Sequence, residues 1–314
     1  MSDAILTRMR IILLAVTLCA ASVLIGRADT QQGDDANRQP NLLLAKAEKG
    51  DAQSQFELGA ALSLGKFGVA QDYEEAVRWL RKAAEQNFAP AQNHMGVCYH
   101  DGLGLTINYE EAVKWFRKAA EQGDADAQCN LGTRYLRGEG VATNLVEAVS
   151  WYHKAAEQNL AEAQYNLGVC YRDGQGVEKD ETEASKWYLL ALRSNAATGN
   201  AEAQNALGEA FYLGKLGAVK NAVEAMRWFR MAAEQNLAAA QSNLGICYER
   251  GDGVAKYEVE AYKWDLLAAA QGETKAKHNA SLLELLLSPE DIADGKRRAQ
   301  DWLEHRKTTS LSPR

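Results

Sequence analysis

A chain of 314 residues that is 46% apolar and 25% charged, with 4 prolines and 25 glycines, has the composition of a folded protein and excludes a disordered or collagen-like one. Its 35 Lys and Arg face 42 Asp and Glu, a net charge of −7, and removal of residues 1–28 makes the balance more acidic. That balance excludes a basic nucleic-acid or polyanion binder, because nothing in the composition supplies the field that holds phosphates.

At the N-terminus, Arg8 and Arg10 precede an uncharged apolar run from Ile11 to Ile25, and Gly26-Arg27-Ala28 then places small residues where a signal peptidase cuts. Residues 1–28 are expected to be a secretory signal peptide. An uncleaved membrane anchor is the alternative, because Arg27 departs from the cleavage pattern. The run is shorter than the ~20 residues that span a bilayer, and Cys19 lies inside it behind Leu18, which argues against a lipoprotein. The chain is therefore expected in the secretory pathway. Periplasmic or extracellular space comes first, inner-membrane anchoring follows if the segment stays, and a eukaryotic lumen comes last. Residues 29–41 read as a polar linker.

Beyond residue 42 the tryptophans keep a period. Trp79, Trp115, Trp151 and Trp187 are 36 residues apart, and Trp228, Trp264 and Trp302 continue the series. A Leu or Met followed by glycine repeats with it, at Gly59, Gly96, Gly132, Gly168, Gly208 and Gly245, so the period belongs to whole units. In the unit from Asp124 to Asn159, Ala127, Leu131 and Tyr135 fall four apart on one helical face, which defines a helix A. A mid-helix glycine loses ~1 kcal/mol against alanine, so its recurrence implies that another backbone or an indole comes too close for a methyl group.

Gly138-Glu-Gly-Val141 breaks that helix, and Asn144 with Glu147 three residues on starts a helix B carrying Ala148, Trp151 and Ala155 on one stripe. The cap recurs as Asp72, Asn108, Asp180 and Asn221, while the sixth unit has Tyr257 there. Asn87, Asn159, Asn236 and Gly123 suit the left-handed end of helix B. Between Trp187 and Gly208 the spacing gains four residues, about one helical turn, so helix B of the fourth unit is either longer or followed by a wider loop. Neither helix buries its face alone, so each pair must stack on the next. The chain thus reads as all-α, with residues 42–304 an array of six complete pairs and a divergent seventh. Residues 41–50 and the stretch from Ala276 to Trp302 cap its ends, and residues 305–314 read as a disordered tail.

The pattern A-x-A-Q-x-x-L-G-x-x-Y, a G-x-G-V loop, a capped acidic start and E-A-x-x-W-x-x-K-A-A-E-Q-G/N resembles the Sel-one-like repeat (SLR), a relative of the tetratricopeptide repeat, over about residues 50–304. The resemblance implies a right-handed α/α superhelical solenoid of six to seven pairs that acts as a scaffold for protein complexes. Some small cysteine-rich members are described as penicillin-binding hydrolases. Their paired cysteines in each repeat are missing here, so a β-lactamase-like or cell-wall-related hydrolase is only the alternative.

No residue pattern points to an enzyme, a cofactor or a metal. The paired glycines of the A-to-B loops follow no strand and lack the lysine and hydroxyl of a phosphate loop. The histidines form no His-x-x-x-His pair, and there is no Gly-x-Ser-x-Gly elbow. Cys98, Cys170 and Cys247 share one repeat position, and stacked neighbours ~10 Å apart lie beyond the ~7 Å reach of a disulfide, so buried free thiols are expected.

Function in such an array rests on positions the repeat does not need. Four residues after the helix A glycine stand Ser63, His100, Leu136, Arg172, Tyr212 and Glu249; three before it stand Phe56, Asn93, Cys129, Tyr165, Asn205 and Ser242. Both rows lie on one face of helix A. Asn93, His100, Tyr165, Arg172, Asn205 and Tyr212 are the candidate lining of a groove for an extended peptide or a partner helix. Arg134 joins them as the odd residue among small equivalents, either reaching to solvent along its stem or marking an anion contact. The expected partner is a protein, not nucleic acid, with a membrane involved only through an uncleaved N-terminus, and the chain is expected to be a monomer.

Overall fold

The computed structural model describes residues 38–66 and 68–311, and among them every regular element is a helix. A lead helix α1 (Arg38–Glu48) precedes six A/B pairs. These are α2 (Ala52–Leu64) with α3 (Tyr73–Glu85), α4 (Ala89–Asp101) with α5 (Tyr109–Glu121), and α6 (Ala125–Arg137) with α7 (Leu145–Glu157). The series continues with α8 (Ala161–Asp173) and α9 (Glu181–Ala197), α10 (Ala201–Leu213) and α11 (Ala222–Glu234), then α12 (Ala238–Arg250) and α13 (Glu258–Ala270). A last pair, α14 (Thr274–Glu284) and α15 (Pro289–Leu311), closes the chain. The described residues form two compact units, 38–187 and 188–311, divided inside α9. The expected signal peptide, and the linker up to residue 37, lie outside the described residues. Helix α1 takes up the last four linker positions, and α15 runs on to Leu311, through most of the stretch read as a tail. Arg306 accounts for that continuation: it lies over the Trp302 ring one turn back and donates to the Glu234 carbonyl.

The helix starts follow from local chemistry. Asp72, Asn108, Asn144 and Asn221 each accept the backbone N–H three residues ahead, a contact that contributes about 1 kcal/mol, and Asp180 does the same for Glu183. Tyr257 leaves the start of α13 without a side-chain cap. Asn87, Asn159 and Asn236 end their helices with positive φ of 64°, 64° and 72°. The four extra residues lengthen α9 itself, which has 17 residues where the B helices of the other five A/B pairs, α3, α5, α7, α11 and α13, have 13. The added turn is packed, with Ala191, Leu192 and Ala196 buried.

The core lies between successive pairs. Ala112, Val113 and Phe116 of α5 cluster with Ala127 and Leu131 of α6 and with Trp151 of α7, so the indole is wedged against the pair before its own. Trp79, Trp115 and Trp187 hold the same place in their clusters. Lys82, Lys118 and Lys154 bring their ammonium groups 3.9, 4.2 and 3.7 Å from the centres of Trp79, Trp115 and Trp151, which accounts for the lysine of W-x-x-K.

The helix A glycine is explained only in part by the sequence expectation. A Cβ on Gly132 would stand 3.0 Å from the Ala148 carbonyl, the close backbone foreseen, but its other neighbour at 2.9 Å is the Tyr152 ring and not the indole. Gly96 meets Phe116 and Gly208 meets Phe229 in the same way, so the residue after the tryptophan fills the slot beneath the glycine.

Candidate functional site

In five of the six repeats two glutamines stitch the helices together. Gln128 of helix A is buried and donates its carboxamide to the Ala120 carbonyl at the end of α5. Its own oxygen accepts from Gln158 at the end of α7, at 2.9 Å. The same relay runs through Gln55, Gln92, Gln204 and Gln241, each bonded to the helix end before it and to Gln86, Gln122, Gln235 and Gln271. The helix A amides are buried and satisfied, so they belong to the frame and are not available to a ligand. The second loop glycine is also structural. A Cβ on Gly140 would stand 2.1 Å from the Tyr109 carbonyl at the start of α5, so the loop of one unit rests on the B helix of the unit before it.

What remains is the outward row of helix A. Within residues 38–187, Asn93 is half-buried and its carbonyl oxygen accepts from Asn130 of the next unit at 3.0 Å. One step along, Asn166 reaches Cys129, and one step back His94 stands edge-on to Phe56 at 5.2 Å. His100 packs on Tyr109, sets Nδ1 against Asp101 at 2.5 Å and turns Nε2 toward Glu139 at 3.5 Å. Tyr165 is half-buried, and Arg172 makes two hydrogen bonds to Asp173. Beside this row Glu162 has its carboxyl pKa raised, first by burial and then by Asp126.

Within residues 188–311, Tyr212 donates to Asp252 at 2.6 Å. His100 and Tyr212 therefore share a habit: the acid between the next unit's loop glycines holds the side chain four residues past the helix A glycine.

Two members of the expected lining are placed differently. Asn205 is only 5% exposed and is held by Asn243 and Glu209, because the row three before the glycine sits under the next unit's helix A. Phe56, Cys129 and Ser242 of that row are buried too. Arg134 does not reach solvent. It is 6% exposed, with Nη1 2.6 Å from Glu139 Oε2, so the anion contact foreseen as the other reading is internal. Burial pulls the guanidinium pKa down and Glu139 holds it up.

The described cysteines, Cys98, Cys129, Cys170 and Cys247, are free and buried. Burial pushes the Cys98 and Cys247 thiols up to about 12 and Cys170 to about 11, which keeps them protonated and poor nucleophiles at neutral pH. Among the described residues no three His, Cys, Asp or Glu side chains are grouped to hold a metal ion, and no helix is long and apolar enough to cross a membrane.

Stacked A/B pairs joined through glycine loops and wedged tryptophans define an α/α solenoid-repeat protein. The Sel1 repeat model matches residues 52–88, 89–124, 125–160, 161–195, 201–237 and 238–273, and the chain belongs to that family. A Sel1 repeat protein from Oxalobacter formigenes is 31% identical over 74% of this chain and 99% of its own, with a TM-score of 0.54. A protective antigen of uropathogenic Escherichia coli with an SLR fold is 28% identical over 88% of this chain and 67% of its own, with a TM-score of 0.45. No curated protein sequence matches the chain. Sel1 repeat proteins are generally protein-interaction scaffolds without catalysis.

Proposed function

We propose that this chain is a non-catalytic adaptor that holds an extended peptide or a helix of a partner protein along the outward row of its A helices, and that it works in the periplasm or outside the cell. The observation that carries the reading is the division of labour within each repeat. Glutamines, glycines and tryptophans are consumed by unit-to-unit packing, whereas Asn93, His100, Tyr165, Arg172 and Tyr212 are half-buried polar or aromatic side chains that vary from unit to unit. Such groups offer hydrogen bonds and contact area at little ordering penalty. Arg134 backs His100 through Glu139, which both approach.

A photoreactive amino acid placed at His100, Tyr165 or Tyr212 should crosslink one stoichiometric protein partner. The same probe at Arg78 or Val146, exposed on B helices, should not. Crosslinks confined to the B helices would overturn the groove. Hydrolysis of nitrocefin by the purified chain would replace the adaptor with the hydrolase alternative. N-terminal sequencing of protein recovered from cell fractions tests both cleavage after Ala28 and the compartment.

A further inference from the structure

The slot beneath the helix A glycine holds Leu80, Phe116, Tyr152 and Phe229 in the first, second, third and fifth units and Asp265 in the sixth. Asp265 has no exposed surface, no hydrogen bond of good geometry reaches either carboxylate oxygen, and the one polar group that approaches it is the Asn279 carboxamide, a weak neutral contact. It lies directly under α12, where a Cβ on Gly245 would stand 2.9 Å from Oδ1. Its surroundings do not compensate a negative charge. Glu249 of α12 repels it, and Asn279 of α14 offers only a carboxamide. On its own helix, Lys263 is engaged by Glu260 at 2.7 Å. On α15, Arg298 is engaged by Asp294 and Glu260. A buried carboxylate without a partner is strongly unfavourable, and in a closed site the cation that reaches it without unfolding the surroundings is a proton.

We propose that Asp265 is a proton-operated latch: protonated, it lets α14 and α15 close on α13, and ionised, it loosens that terminal pair. Immediately beside the acid, the pair is held by a small apolar cluster, Ala261, Tyr262, Ala280 and Leu283 with Leu266, Leu287 and Ile292, together with Tyr262 donating to Glu284, Arg298 on Glu260 and Trp302 edge-on to Trp264. Opening it would add Ala280 and Leu283 to Leu282, Leu285 and Leu286, which are already exposed, and so present a leucine-rich surface.

Burial first, and Glu249 second, push the Asp265 carboxyl from 3.8 up to about 8. A group whose folded pKa is raised contributes stability that is complete below its unfolded pKa and is lost as pH rises toward the folded one. The latch is therefore tightest in acid, weakens through the window from about 4 to about 8, and is constant above it. Within the window the opening equilibrium rises roughly tenfold per pH unit.

Amide exchange of the full chain between pH 5 and 9, corrected for intrinsic rates, tests this. Opening of α14 should grow roughly tenfold per pH unit and level off above about 8, while α6, far along the chain, shows no such slope. Asp265→Asn should abolish the slope, and Glu249→Gln should move the plateau to lower pH, a shift that a merely structural role would not produce. If Asp265→Asn does not fold, Asp265→Leu provides the same comparison, since Leu80 fills this slot in the first unit. A slope retained without the acid, a flat wild-type profile, or a plateau indifferent to Glu249 would each overturn the latch.

Discussion

The third and sixth repeats have the same backbone and different interiors. Both pair a 13-residue helix A with a 13-residue helix B. In the third, Asn144 caps helix B, and Tyr152 fills the slot under Gly132 with its hydroxyl 3.0 Å from Thr133. In the sixth, Tyr257 leaves the cap unmade and Asp265 sits under Gly245. The contrast teaches that the fold is set by the glycine approach, the glutamine relay and the wedged indole, which both repeats keep. The slot and the cap are places where a repeat can give up stability and take on chemistry.

Breaking the third repeat should have the largest effect. Tyr152→Ala empties a fully buried site and should lower stability by about 3–5 kcal/mol, read as a shift of the urea midpoint. Gln128→Leu should cost about 1–3 kcal/mol, because the Ala120 carbonyl and the Gln158 amide lose a buried partner. Circular dichroism in urea would check it, and an unchanged midpoint would remove the relay from the account. Sharpening runs the other way: Tyr257→Asn gives the sixth repeat the missing cap and should add about 0.5–1 kcal/mol, visible as a rise in melting temperature.

Much of the fold was legible because its signals are local and periodic. Trp79 to Trp302, the caps at Asp72, Asn108, Asn144 and Asn221, and the left-handed Asn87, Asn159 and Asn236 are each a residue type tied to one backbone need. The glutamines were not legible: Gln128 and Gln158 look like surface polar residues, yet they meet thirty residues apart across the two helices of one unit, and Gln128 is buried against the helix end of the unit before. The glycine rule was half legible, since close approach was evident but Tyr152 as the neighbour was not.

On the candidate site, the face of helix A was found and its depth was not. Asn205 was placed outward because a seven-residue spacing fixes direction around a helix but says nothing about the neighbouring helix that covers it. Arg134 carried a readable signal: its unit alone has Glu, Glu139, between the loop glycines, and the two charges meet.

The glutamine relay also constrains how such a chain changes length over evolutionary time. A helix A carboxamide of the relay takes the helix end behind it and a glutamine ahead, so a deletion that begins and ends at arbitrary points strands a buried polar group, whereas removal of a complete module rejoins matching halves. Growth and loss are thereby quantised: the array accepts or discards whole modules cleanly and resists ragged edits.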